Sequence, residues 1–173
     1  MRPFTPDELT TIRRTDRAIS DDAEIADLLR QADICRIATS VNDQPFISAN
    51  TFWYDGEHIF FHTATEGRTL ANIGQNPRVC LEVDWVGRWL PATTAMAFSV
   101  EYTSVVVFGR ARLLEDDAEK ERALQGLLDK YFPDLKPGVD YRPITPKELK
   151  VTAVFAVDIE AWSGKRKVVP AES

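Results

Sequence analysis

The chain has 173 residues, 44% of them hydrophobic and 28% charged, enough apolar material for one domain with its own core. Twenty-seven acidic residues against twenty-one basic ones leave a net charge of −6, which disfavours a general nucleic-acid surface and allows only a local basic pocket. Apolar runs such as "SVVVFG" are far too short to span a bilayer, and the opening residues lack a secretory signal, so a cytoplasmic protein is expected.

Residues 1–19 are polar, contain Pro3 and Pro6, and read as an N-terminal arm ahead of a single domain over 20–173. In "SDDAEIADLLRQA", Ser20 or Asp21 can cap a helix, Asp21 and Glu24 have capping-box spacing, and Ile25, Leu28, Leu29 and Ala32 share a face. The period then changes. The segments "DICRIATS", "QPFISANTFWYDGEHIFFHT" and "PRVCLEVDW" read as strands, separated by the turn signals "VNDQP" and "YDGEH". Between the last two strands, "EGRTLANIGQNP" offers a short helix with Leu70 and Ile73 on one face, stopped by Gly74, Asn76 and Pro77.

Residues 85–101 have no clear period and are expected to form a long loop, either a surface excursion or a lid over a pocket. The strand "YTSVVVFGRARLLED" follows. Its Val105–Phe108 section is apolar on both faces, whereas from Arg110 the pattern alternates, so one end is covered twice and the other once. "DDAEKERALQGLLDKYF" begins with Asp116 and Glu119 at capping-box spacing and carries Leu124, Leu127, Leu128 and Tyr131 as its stripe. A proline-rich connection leads to a last strand in which Val151, Ala153, Phe155, Val157 and Ile159 alternate with more polar residues. Many strands, mostly short links and three helices predict a mainly β architecture, an antiparallel barrel with peripheral helices.

Candidate chemistry is sparse. Cys35 and Cys80 each lie inside an apolar strand and read as reduced thiols. His58 and His62 are four residues apart in a strand, about 13 Å at ~3.3 Å per residue, so one metal cannot bind both; no metal site is expected. No Gly-x-Ser-x-Gly elbow, Walker loop or Gly-x-Gly-x-x-Gly fingerprint is present. What remains is "HTATEGRTL", where a strand hands over to a helix. Free N–H groups at that helix start, the hydroxyls of Thr63 and Thr65, an unobstructed Gly67 and the fork of Arg68 could together hold a phosphate. A polar helix cap is the alternative. Arg36, on a strand face with Ile34 and Ala38, needs either an anion or a carboxylate.

The succession of "CRIAT", "NTFWYDGEHIFFHTATEGRTLANIGQNPRVCLEVD", "YTSVVVFGRARLLEDDAEK" and "VFAVDIEAWSGKR" resembles the pyridoxamine 5′-phosphate oxidase-related, FMN-binding split-barrel superfamily. Within it the chain is most similar to the 5-nitroimidazole-resistance (Nim-type) reductase-like branch, over roughly residues 12–168. The resemblance implies an antiparallel split β-barrel and a homodimer with two FMN molecules at the subunit interface. By position it implies Arg36 near the phosphate or ribityl chain, Asn50 and Thr51 facing the flavin ring, and His62 and Thr63 where ring meets phosphate. It also implies Arg68 at a phosphate-binding position and Trp162 beside the C-terminal stretch that reaches the partner's flavin. Thr69 stands where the oxidases have lysine, and Ser104 where they have a flavin-contacting glutamine. "AWSGKRKVV" has no clear match to their substrate-binding arginine motif. These departures argue against a true pyridoxamine phosphate oxidase. The implied activity is electron or hydride transfer from a reduced nicotinamide to a small acceptor, such as a nitro compound, with His62 as a tuner or proton donor. Haem binding, through His58 or His62, and a non-enzymatic flavin sensor are the alternatives. Trp53, Tyr54, Trp85 and Trp89 read as core or rim aromatics, with flavin or substrate contact as the other option.

Overall fold

The structure of the chain, a computed structural model, describes residues 5–170. Residues 1–4 of the expected arm and 171–173 of the expected domain lie outside the described residues. The described residues form eight strands: β1 (Ala18–Ile19), β2 (Cys35–Val41), β3 (Gln44–Asn50), β4 (Trp53–Tyr54), β5 (His58–Ala64), β6 (Arg78–Leu90), β7 (Ser99–Leu113) and β8 (Thr152–Lys167). They make one antiparallel sheet in the order β3-β2-β6-β7-β8-β5-β4, with β1 added beside β8. The strands at the two ends of that order, β3 and β4, are consecutive in sequence and joined only through Thr51 and Phe52. The sheet must therefore curl until its edges approach, and it stays open where β3 and β4 do not pair. This is the split barrel.

Side-chain alternation fills the interior. Ile37, Phe52, Ile59, Phe61, Leu81, Val83, Val105, Val107 and Phe155 are each at most 2% exposed. The Phe61 and Phe155 rings stack with centroids 4.9 Å apart. Helix α2 (Asp22–Gln31) closes one end with Ile25, Leu28 and Leu29. Its cap is Asp21, which accepts from the Ala23 N–H, while Glu24 pairs with Arg166. A second, smaller core lies outside the barrel, where Phe60, Val154 and Ala156 meet Ala123 of helix α4 (Asp117–Tyr131). A Cβ at Gly126 would fall 2.3 Å from the Trp53 ring, so that glycine lets α4 seat on β4. Asp116 caps α4 by accepting from the Glu119 N–H, and the Glu119 carboxylate goes to Arg112 instead of back to the cap.

The mixed pattern of β7 has the predicted meaning. Val105 and Val107 point into the core, Val106 and Phe108 are half-buried on the other face, and from Arg110 the outer residues are exposed. Asn42 and Asp43, at φ 51° and 61°, form the tight turn between β2 and β3. The loop expected over 85–101 is instead mostly strand. β6 runs on to Leu90 and β7 begins at Ser99, with only 91–98 between them. A register shift between Val86 and Trp89 breaks the alternation there, and a Cβ on Gly87 would lie 2.9 Å from Glu101 Cβ. The last strand likewise extends past Ile159 to Lys167, its alternation interrupted opposite Phe108–Gly109. The end of the arm joins the sheet as β1, after a short helix α1 (Pro6–Thr10). The proline-rich connection holds helix α5 (Pro146–Lys150). Among the described residues, no helix is long and apolar enough to cross a membrane.

Candidate functional site

Strand β5 ends at Ala64, and helix α3 (Arg68–Gln75) begins after three intervening residues. Gly67 makes that corner at φ 127° and ψ 171°, a conformation essentially reserved for glycine, and nothing lies within 4 Å of where its Cβ would be. No side chain caps α3, so its first N–H groups face the corner without a side-chain partner. Arg68 extends over the Phe46 ring at 5.1 Å and has no carboxylate partner among the described residues. Thr65 is exposed beside it, and Thr63 donates to the Ala64 carbonyl at 2.9 Å. The result is an open corner in which Arg68 and free N–H donors stand beside the acid Glu66, and that guanidinium and those donors suit an anion.

The seat under this corner is polar and closed. Thr69 is buried, with its hydroxyl 3.3 Å from Ser48 Oγ, which accepts from Asn50 Nδ2 at 3.0 Å. Asn72 donates to Thr39 at 2.8 Å, and Asn76 donates to the Ser40 carbonyl at 2.9 Å. Thr69 thus pins α3 to β3, a task for which a lysine would be too long and too charged. Ser48 and Phe46 went unnoticed in the sequence, although their alternation with Ile47 along β3 would have placed them on the α3 side.

His62 is turned the other way. It shares a strand face with Phe60 and, with Thr51, borders a cavity of about 560 Å³ between β5, α4 and α5. Leu124, Leu127, Leu128, Phe132 and Ile144 supply its aliphatic and phenyl wall. Desolvation lowers the pKa of His62 below its ordinary 6.5, which favours the neutral imidazole. Tyr131 holds Thr51 and Phe52 in place, since its hydroxyl accepts from the Phe52 N–H at 3.0 Å and lies 2.6 Å from the Asp33 carbonyl oxygen.

The remaining predicted residues lie elsewhere. Arg36 projects from the outer face of β2 and is paired with Glu82, at 2.9 Å, and with Asp84. Those carboxylates, rather than an anion, occupy it within the chain. The alternation of "LEVDW" puts both acids on the face of β6 next to Arg36, a signal visible in the sequence. Ser104 pairs with Asp84 across β6 and β7 on the same outer face. That face also carries Ile47, 63% exposed, with Cys80, Val106 and Phe108 half-buried along it. Trp162 packs against the barrel core, edge-on to Tyr54, with its indole N–H donating to Asp22 Oδ1 at 2.7 Å. It lies eight residues along β8 from Val154, the partner of His62, or about 26 Å. Cys35 is buried, its thiol pushed up to about 12 by desolvation, and neither it nor half-buried Cys80 is in a disulfide.

Residues 21–166 match the pyridoxamine 5′-phosphate oxidase family. No curated protein matches the chain. Among solved structures, the flavocytochrome Anf3 from Azotobacter vinelandii is similar over 99% of this chain and 79% of its own, at 25% identity and a TM-score of 0.82. A FAD and heme binding protein from Mycobacterium smegmatis is similar over 91% of this chain and 77% of its own, at 22% identity and a TM-score of 0.79. A candidate 5-nitroimidazole antibiotic resistance protein from Bacteroides thetaiotaomicron covers 86% of each chain, at 21% identity and a TM-score of 0.72. The last two likenesses speak to the fold.

Proposed function

The chain belongs to the pyridoxamine 5′-phosphate oxidase family, and on that footing we propose that it is an FMN-binding oxidoreductase that passes electrons from a reduced nicotinamide to a small acceptor. The observation that carries this reading is the open corner at the start of α3. There an uncapped helix end, Gly67 with free space above it and Arg68, without a carboxylate partner among the described residues, converge. The likeness to a flavocytochrome supports the flavin part of this reading. When bound, a flavin supplies reversible acceptance of two electrons, released singly or as a pair.

Arg68, Thr65 and the first N–H groups of α3 would hold the phosphate, and Gly67 would let it approach the backbone. Asn50 and Thr51 would orient the ring from the β3–β4 link, which Tyr131 keeps rigid. His62, whose surroundings favour the neutral imidazole, would donate a hydrogen bond to the acceptor. The half-buried outer face of β2, β6 and β7 would meet a second copy, bringing Arg36 and Ser104 to a shared interface, whereas Trp162, the register partner of inward-facing Val107, stays on the core side. Loss of the oxidases' lysine at Thr69 and glutamine at Ser104 supports a role other than pyridoxamine phosphate oxidation, and a nitro compound is one acceptor the reading allows. Haem is less well served, because the lone cation lining the His62 cavity, Arg142, is already held by Glu148 at 2.8 Å.

FMN titration tests this. A charged hydrogen bond contributes about 1.5–3 kcal/mol, so Arg68→Ala should weaken FMN binding roughly tenfold to a hundredfold. Equal affinity in the two proteins would refute the phosphate site. If His62→Ala leaves turnover with a nitro acceptor unchanged, the role of His62 at the acceptor is wrong.

A further inference from the structure

We propose that the cavity between β5, α4 and α5 is a binding site for an uncharged, flat aromatic molecule that carries a carbonyl-type oxygen. The proposal rests on the flavin reading only in taking that molecule as the electron acceptor; as a claim about binding it stands without the flavin.

Size and wall chemistry come first. About 560 Å³ is ample for a fused-ring compound, and Leu124, Leu127, Leu128, Phe132 and Ile144 offer it an apolar bed. The charge at the rim is already spent within the chain. Arg142 makes a two-pronged pair with Glu148, at 2.8 and 3.2 Å, and also donates to the Pro143 carbonyl at 3.0 Å. Glu148 further accepts from the N–H and the hydroxyl of Thr145. An anionic ligand would have to break that pair, and a cationic one would find no free carboxylate in the lining.

The polar groups that remain define the rest of the ligand. Thr152 donates to the Glu148 carbonyl at 2.8 Å, and the Tyr141 hydroxyl accepts from Gln125 at 2.8 Å. The side chains of Thr51 and His62 have no hydrogen-bond partner among the described residues. Both can donate to an oxygen on the ligand, and neutral His62 does so without adding charge. The cavity and the α3 corner lie on opposite faces of β5, since His62 and Thr63 are consecutive in the strand. Each can therefore be altered without touching the other.

The probe is menadione, a neutral two-ring quinone, measured by equilibrium dialysis against the full-length protein, with pyridoxal 5′-phosphate as a flat but anionic competitor. The expected result is saturable binding of one menadione per chain that an equal concentration of pyridoxal 5′-phosphate does not displace. Leu128→Trp, which fills the cavity, should weaken it at least tenfold. His62→Phe, which removes one hydrogen bond, should weaken it about fivefold. Ile144→Trp, at a second point of the wall, decides the matter if Leu128→Trp does not fold. Non-saturable binding, full affinity in the folded tryptophan variant, or displacement by pyridoxal 5′-phosphate would overturn the proposal. FMN binding, followed separately, should be retained in the tryptophan variants. Menadione bound without FMN would leave this proposal standing and remove the flavin reading, and the converse result would do the opposite.

Discussion

Gly67 and Gly74 stand at the two ends of α3, and alanine at each should act in opposite directions. Neither has a heavy atom within 4 Å of its would-be Cβ, so steric crowding is absent at both sites. Gly67 sits at φ 127° and ψ 171°, where a residue with a Cβ costs about 1–3 kcal/mol in backbone strain. Gly74 lies in the last turn of α3 without positive φ, so alanine there gains about 0.5 kcal/mol, chiefly by restricting the unfolded chain. For a domain of this size each kcal/mol shifts Tm by roughly 2–4 °C, which separates the two variants clearly. Urea unfolding at constant m-value measures both differences. Gly67→Ala should also loosen the anion corner and weaken FMN binding. A Gly67→Ala protein as stable as the parent would show that the corner is not built as described, and with it would fall the reason for the exposed N–H groups.

Two further outcomes concern charge. Glu101 accepts from the Arg88 N–H and guanidinium and from the Val169 N–H, which together hold it down from 4.5 to about 2. A carboxylate depressed in this way lends stability that is complete above about pH 4.5 and lost as the pH falls toward 2; Glu101→Gln should flatten that part of a Tm–pH profile, and an unchanged acid limb would contradict it. Lys130 donates to the Ala32 carbonyl over the Phe52 ring, and burial lowers it from 10.5 to about 8. The folded state releases this proton more readily than the unfolded chain, so its cost is felt below pH 8 and fades as the pH rises; Lys130→Met should raise Tm more at pH 7 than at pH 9.5, and equal shifts would refute the burial penalty.

Much of this was legible in the chain because local rules and global packing agree. The two-sided apolar Val105–Phe108 section, the caps Asp21 and Asp116, and the Asn42–Asp43 turn behave as their residue types dictate. Legibility failed where the register shifts. Around Gly87 and opposite Gly109 an extra residue breaks the two-residue period, so long strands read as a loop or as ending early. The short β1 carries too few residues to show a period at all. The site was legible as a set of residues rather than as a place. Thr65, Gly67 and Arg68 do form one corner, but His62, one residue before Thr63, opens onto a cavity on the other face. Arg36 illustrates the limit of a face argument, because the acids that hold it come from β6, more than forty residues away.

The central claim is that the α3 corner holds a flavin phosphate, and a visible absorption spectrum of the purified protein, after FMN is added and the excess removed, tests it most directly. The account predicts a retained two-band flavin spectrum at one FMN per chain, sharply reduced in Arg68→Ala. Loss of all flavin absorbance from the parent protein, or a Soret band in its place, would contradict it.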